Sequence, residues 1–135
     1  MINEYGKTRL FTENIQDMYY NTKESKRGYI GSLMQLIPWI NTEFNILCSN
    51  PQETEESKLN LLTWEDIANI CGYKDIKNFK RNILALKIKD YDAVKCLIHG
   101  RGMAIYINPK LCYGGNNITN LSSLCALFDI ELNNN

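Results

Sequence analysis

LTWEDIANICGYKDIKNFKRNILALKIKDYDAVKCLIHGRGMAIYINPKLCY, residues 62–113, reads as two short helices joined by a tight turn and followed by a β-hairpin. Thr63 is placed to cap the first helix, and Asp66, three residues on, can reach back to complete a capping box. At about 100° per residue, Trp64, Ile67, Ala68 and Cys71 share one face while Glu65, Asp66 and Asn69 are left to water. Gly72 falls where a left-handed C-cap is needed, a conformation glycine adopts without strain. The turn is therefore short, and Asp75 caps the second helix.

In that second helix Ile76, Phe79, Ile83 and Leu86 make the apolar stripe. Lys77, Asn78 and Arg81 project together from the opposite face, with Lys74 ahead of them, Lys80 adding a further charge and Ala85 extending the surface. Such a set suits a major groove: Asn pairs bidentately with adenine, Arg with guanine, alanine touches a thymine methyl, and lysines hold phosphates. Residues 93–99 and 103–107 are rich in strand formers, and His99-Gly100-Arg101-Gly102 joins them with glycines where positive φ is useful. Val94, Cys96 and Ile98 share a face, as do Met103, Ile105 and Ile107, so each strand is expected to lay one side on the helices. Arg101, at the tip, is expected to reach a minor groove or a flanking phosphate. His99 is carried as a phosphate contact, against the ordinary reading of a hairpin-end histidine as plain surface.

These residues resemble the winged-helix proteins of plasmids and phages of low-GC Gram-positive bacteria, the RepL-type replication proteins and their relatives, and more loosely the MarR-type regulators. The matching points are Leu62-Thr63, then Asp66-Ile67-Ala68 with Gly72-Tyr73, then Ile107-Asn108-Pro109 and Tyr113-Gly114-Gly115, covering about half the chain. Gly72-Tyr73-Lys74-Asp75 departs from those families in lacking the Ser or Thr pair that often opens their recognition helix. The resemblance implies a sequence-specific double-stranded DNA-binding protein of a mobile element, acting in replication, conjugative transfer or transcription control alongside other replication or transfer proteins. The fold class expected is α+β, mostly helical: a winged helix-turn-helix with a two-stranded wing plus N- and C-terminal helical extensions.

Charge distribution bears on the same question. With 15 basic and 15 acidic residues the chain is neutral, which taken alone argues against a generic nucleic-acid coat. Residues 72–110, however, hold nine Lys or Arg against three acids, a balance of +6, so the remainder carries −6. A basic reading segment on an acidic body suits a specific reader with restrained non-specific affinity; chance clustering on a solvated surface is the plainer alternative.

At 135 residues the chain is one domain's length, and 44% hydrophobic content argues against wholesale disorder. We divide it into an N-terminal extension (1–28), the winged helix-turn-helix domain (29–113) and a C-terminal short helix and tail (114–135). A helix capped by Thr12 is expected first, with Ile15, Met18 and Tyr19 at helical spacing. Residues 21–27 then read as a polar linker in which Lys23, Lys26 and Arg27 are solvated or, alternatively, touch phosphate. Residues 29–37 form the first core helix, ended or kinked by Pro38, beyond which Trp39, Ile40, Phe44, Ile46 and Leu47 continue the apolar pattern. Residues 49–58 are an acidic loop. After the flexible break at residues 114–117, Leu121, Leu124, Cys125 and Phe128 share a helical face that folds back or pairs with a second subunit. Two-fold DNA readers favour the second option, and a homodimer is the expectation.

Five widely spaced cysteines without a C-x-x-C pair read as reduced, buried small hydrophobes in a cytoplasmic protein, not as disulfides or zinc ligands. The opening MINEYGKTRLF lacks an apolar signal-peptide core, and no run reaches membrane-spanning length. With one histidine, no nucleophile–base pair, no phosphate-cradling loop ahead of a Lys and no two-metal carboxylate set, the reading is a non-enzyme without catalytic residues, metal or cofactor. The rival reading is a protein-interaction module on the same scaffold, an inhibitor or adaptor.

Overall fold

In the computed structural model, which describes residues 9–100, 102–115 and 117–130, the chain is α+β. Its elements run β1 (Arg9–Leu10), α1 (Thr12–Asn21), α2 (Gly28–Gln35), α3 (Trp64–Cys71), α4 (Ile76–Leu84), β2 (Lys87–Ile88), β3 (Tyr91–Asp92), β4 (Val94–His99), β5 (Gly102–Ile107), β6 (Cys112–Tyr113) and α5 (Ile118–Leu127). Among the described residues the strands pair antiparallel as β1 with β6, β2 with β3 and β4 with β5.

The helix pair forms where its local signals put it. The Asp66 N–H donates to Thr63 Oγ1 at 3.1 Å and the Thr63 N–H to Asp66 Oδ2 at 2.9 Å, a reciprocal box that satisfies two otherwise free donors. Gly72 ends α3 at φ 82°, with Tyr73 N–H donating to Ala68 O at 2.8 Å and Gly72 N–H to Asn69 O at 3.1 Å, a Schellman closure. Asp75 Oδ1 accepts from Asn78 N–H at 3.1 Å and starts α4. Phe79, Ile83 and Leu86 turn inward to meet Ile67 and Ala68 of α3 and Leu33 of α2 in one core. Tyr73 links the pair further, stacking on Tyr29 at 5.3 Å and tilting against Phe79 at 4.8 Å. Each fully buried large apolar side chain here contributes about 1.5–3 kcal/mol.

Several expectations need correction. Thr12 does not cap α1 but is its first residue, with Phe11 at the cap position and no side-chain cap bond. The reason is upstream: Phe11 N–H is held by Leu111 O at 2.9 Å, so the chain leaves the β1–β6 pairing already positioned for a helix. Further along α1, Met18 is fully buried in the main core. The apolar run after Pro38, where the sequence shows only a continued apolar pattern, forms an irregular edge segment. A 3-10 turn (Ile37–Trp39) follows α2, Asn45 takes φ 56°, and the chain then extends so that Ile46 bridges Tyr106 and Cys48 bridges Leu61. Leu47 N–H donates to Ile105 O at 3.0 Å and Ile107 N–H to Asn45 O at 2.9 Å, so the outer edge of β5 is covered by a segment that lies between α2 and α3 in sequence. A small β2–β3 hairpin, with Lys89 at φ 55°, also stands between α4 and β4, where the sequence pattern predicts no strand.

The β4–β5 ladder pairs Val94 with Ile107, Cys96 with Ile105, Ile98 with Met103 and His99 with Gly102. Only its base is packed on the helices: Val94, Ile105 and Ile107 are buried, whereas Ile98 is 79% and Met103 49% exposed. Three buried asparagines replace apolar contacts in the connections. Asn45 Nδ2 donates to Ile107 O at 2.8 Å and Cys112 O at 2.9 Å, Asn41 Nδ2 to Pro51 O and Glu53 O, and Asn108 Nδ2 to Asp92 O at 2.8 Å. Finally α5 folds onto its own chain, burying Leu124, Cys125 and Phe128 beside Tyr91, Tyr106 and Tyr113. Its apolar stripe is therefore used internally rather than presented to another subunit.

Candidate nucleic-acid interface

Because α4 buries Phe79, Asn82 and Ile83, its opposite side is the one left outward, and there Lys77, Arg81 and Ala85 are exposed in line with Lys74 just before the helix. Asn78 stands at the edge of this face, half-buried. Its Nδ2 donates to the Tyr29 hydroxyl at 3.2 Å, and its Oδ1 accepts from the Arg81 guanidinium. The asparagine is thus tied to the scaffold on one side and orients the arginine on the other. Lys80 lies on the other flank, exposed, with its ammonium 5.7 Å from the Trp64 ring centroid, a distance at which cation–π attraction operates.

The hairpin positions divide differently. His99 does not project freely: its Nε2 is 2.7 Å from the Glu56 carboxylate, which pins the end of β4 to the acidic loop. Arg101 lies outside the described residues. Of the residues expected to touch DNA, the fold brings Lys74, Lys77, Asn78, Lys80 and Arg81 onto one helix and its approach, and places His99 against a carboxylate.

Two cations that the sequence left as solvated linker join the α4 face. A cleft of about 210 Å³ separates Asn21, Thr22, Lys23 and Lys26 from Ala85, Leu86 and Lys87. Lys23 and Lys26 are exposed across it from the C-terminal end of α4, whereas the Lys87 ammonium is engaged by Asp92. Arg27 is used structurally, lying 4.3 Å over the Tyr19 ring and donating from Nε to Tyr19 O at 3.0 Å. Nothing in the linker's composition separates Lys23 and Lys26 from Arg27; only the return of α1 and α2 beside α4 does.

The arrangement carries cationic and hydrogen-bonding groups on a convex helix, the shape and chemistry of a polyanion contact. Among the described residues no group of three His, Cys, Asp or Glu is arranged to hold a metal ion, and no helix is long and apolar enough to cross a membrane. The five cysteines are free thiols, and burial pushes Cys112 up to about 12. Compared with protein-family models, with curated proteins and with solved structures, the chain matches none.

Proposed function

We propose that this chain is a winged helix-turn-helix protein that reads double-stranded DNA with α4, in the service of a plasmid or phage. The observation that carries the reading is the alignment of Lys77, Arg81 and Ala85 on the outward face of α4, continued across a cleft by Lys23 and Lys26. The element order supports it too: a helix, an extended edge segment, two helices joined by a tight turn, then a two-stranded hairpin whose second strand takes up that edge segment. In this arrangement Arg81, directed by Asn78, contacts base edges, while Lys74, Lys77, Lys80, Lys23 and Lys26 neutralise phosphates. The mobile-element setting, in replication, transfer or transcription control, rests on the resemblance of residues 62–73 and 107–115 to RepL-type proteins.

The test is selection of fragments from the source genome and its plasmids by purified protein at physiological salt, beside a Lys77/Asn78/Arg81 triple-alanine control. Enrichment of one locus that vanishes in the control supports the reading, and the nature of that locus names the process. Absence of enrichment by a folded protein overturns it.

A second reading, an inhibitor or adaptor that binds another protein, draws on the exposed Ile98 and Met103 paired at the hairpin's end. Salt separates the two readings: phosphate neutralisation weakens steeply between low and physiological ionic strength, whereas an apolar protein contact hardly changes.

A further inference from the structure

Away from α4, the seam between α5 and the β5 edge holds a half-open cavity of about 180 Å³. It forms where two apolar clusters meet at Tyr106, one containing Phe44 and Ala104, the other Leu124 and Phe128. Phe44, Leu124 and Leu127 give it apolar walls, and Asn120 and Ser123 of α5 add polar groups. Glu56 completes the lining with a carboxylate.

Two carboxylates stand at this cavity, Glu56 in its lining and Glu43 beside it. Among the described residues the only basic side chain paired with Glu56 is His99, at 2.7 Å, a partner that is cationic only when protonated. Lys58 is engaged by Glu55 at 2.7 Å. Asn120 Nδ2 stands 3.5 Å from the Glu43 carboxylate, so a second anion lies one hydrogen bond from the cavity. The Tyr106 hydroxyl has no hydrogen-bond partner among the described residues, and burial first and the Glu56 charge second raise its pKa. A further negative charge is therefore disfavoured here, while a positive one meets a carboxylate and two aromatic rings.

Size narrows the occupant. A dry apolar cavity of about 150 Å³ takes benzene in another protein, so this space suits a body little larger than one ring. A hard divalent cation requires about six oxygen ligands, which this half-apolar lining does not supply. We propose that the cavity is a binding site for a small organic monocation, an ammonium group on a compact apolar body, with Glu56 taking the charge and Phe44, Leu124 and Leu127 the body. The site is separate from the α4 face and stands whether or not that face reads DNA.

The experiment titrates the full chain with phenethylamine, 2-phenylethanol and phenylacetate at pH 7 and matched ionic strength, following amide and histidine-ring NMR signals. Phenethylamine is expected to produce saturable shifts at Tyr106, Asn120, Ser123 and Leu124. The imidazole of His99, the single histidine, should move with them because its carboxylate partner is shared. The neutral alcohol should bind about fivefold more weakly and phenylacetate not at all. Glu56→Gln should weaken phenethylamine about fivefold and leave 2-phenylethanol unchanged, and Ser123→Trp, which fills the cavity from an exposed position, should abolish both. Absence of saturable shifts at these residues, or equal binding of amine, alcohol and acid, overturns the proposal.

Discussion

The Arg81 guanidinium donates to the side-chain oxygen of Asn78, the residue one helical turn before it. Since the amide nitrogen of the same asparagine donates to the Tyr29 hydroxyl on α2, the direction of the arginine is set by a contact between helices. Base readout by arginine depends on such direction, because the bidentate fork must meet guanine in plane.

From that relationship, Asn78→Ala is expected to act twice. It removes a half-buried hydrogen bond to Tyr29, costing about 1 kcal/mol of stability, and it frees Arg81, weakening specific DNA binding by about 1–3 kcal/mol. Tyr29→Phe should reproduce the first effect and, because it releases the Asn78 amide that directs Arg81, part of the second. Urea unfolding and fluorescence anisotropy on the selected fragment measure the two separately, and an affinity unchanged in both variants would remove Arg81 orientation from the account.

Lys23→Ala and Lys26→Ala should leave stability within about 0.5 kcal/mol of the parent, since both side chains are exposed. Each should lower the slope of log affinity against log salt by about one and weaken all sequences alike, as phosphate contacts do. A salt slope unchanged in both variants would return these lysines to plain surface.

Asn45→Ala should be among the most damaging single changes. The side chain is fully buried and donates to Ile107 O and Cys112 O, so its loss strands two buried carbonyls and leaves a cavity. A cost of about 2–4 kcal/mol is expected from the midpoint of urea unfolding. Thr63→Ala, which removes one exposed cap bond, should cost only about 1 kcal/mol by the same measurement.

Alkaline pH should destabilise the fold in part through Cys112. Its thiol is raised to about 12 by burial, against 9.0 for an unperturbed cysteine. The folded form therefore holds its proton while the unfolded form loses it, so this contribution is fully present below about pH 9 and declines between there and about pH 12. At pH 10 the loss is on the order of 1 kcal/mol. Cys112→Ala should show a shallower fall in stability between pH 8.5 and about 10 than the parent; parallel curves would rule this thiol out as a source.

The α3–turn–α4 unit and the two long strands of the hairpin are legible in the sequence because their signals are local. A capping box spans four residues, a Schellman turn needs one glycine, and a helix stripe repeats within two turns, so Thr63, Asp66, Gly72, Asp75 and the Phe79–Ile83 pair announce themselves. What tertiary structure alone decided is which distant segments satisfy groups that local pattern leaves open. The outer edge of β5 takes residues 45–47, where the apolar run after Pro38 carries no local signal for a strand and only the backbone bonds of Leu47 and Ile107 make the pairing. The stripe of α5 turns to Tyr91, Tyr106 and Tyr113 instead of a partner, since those rings supply an apolar surface within reach. Lys23 and Lys26 stand across a cleft from α4, and His99 stands against Glu56, because the distance between side chains is a property of the folded chain and not of spacing along it.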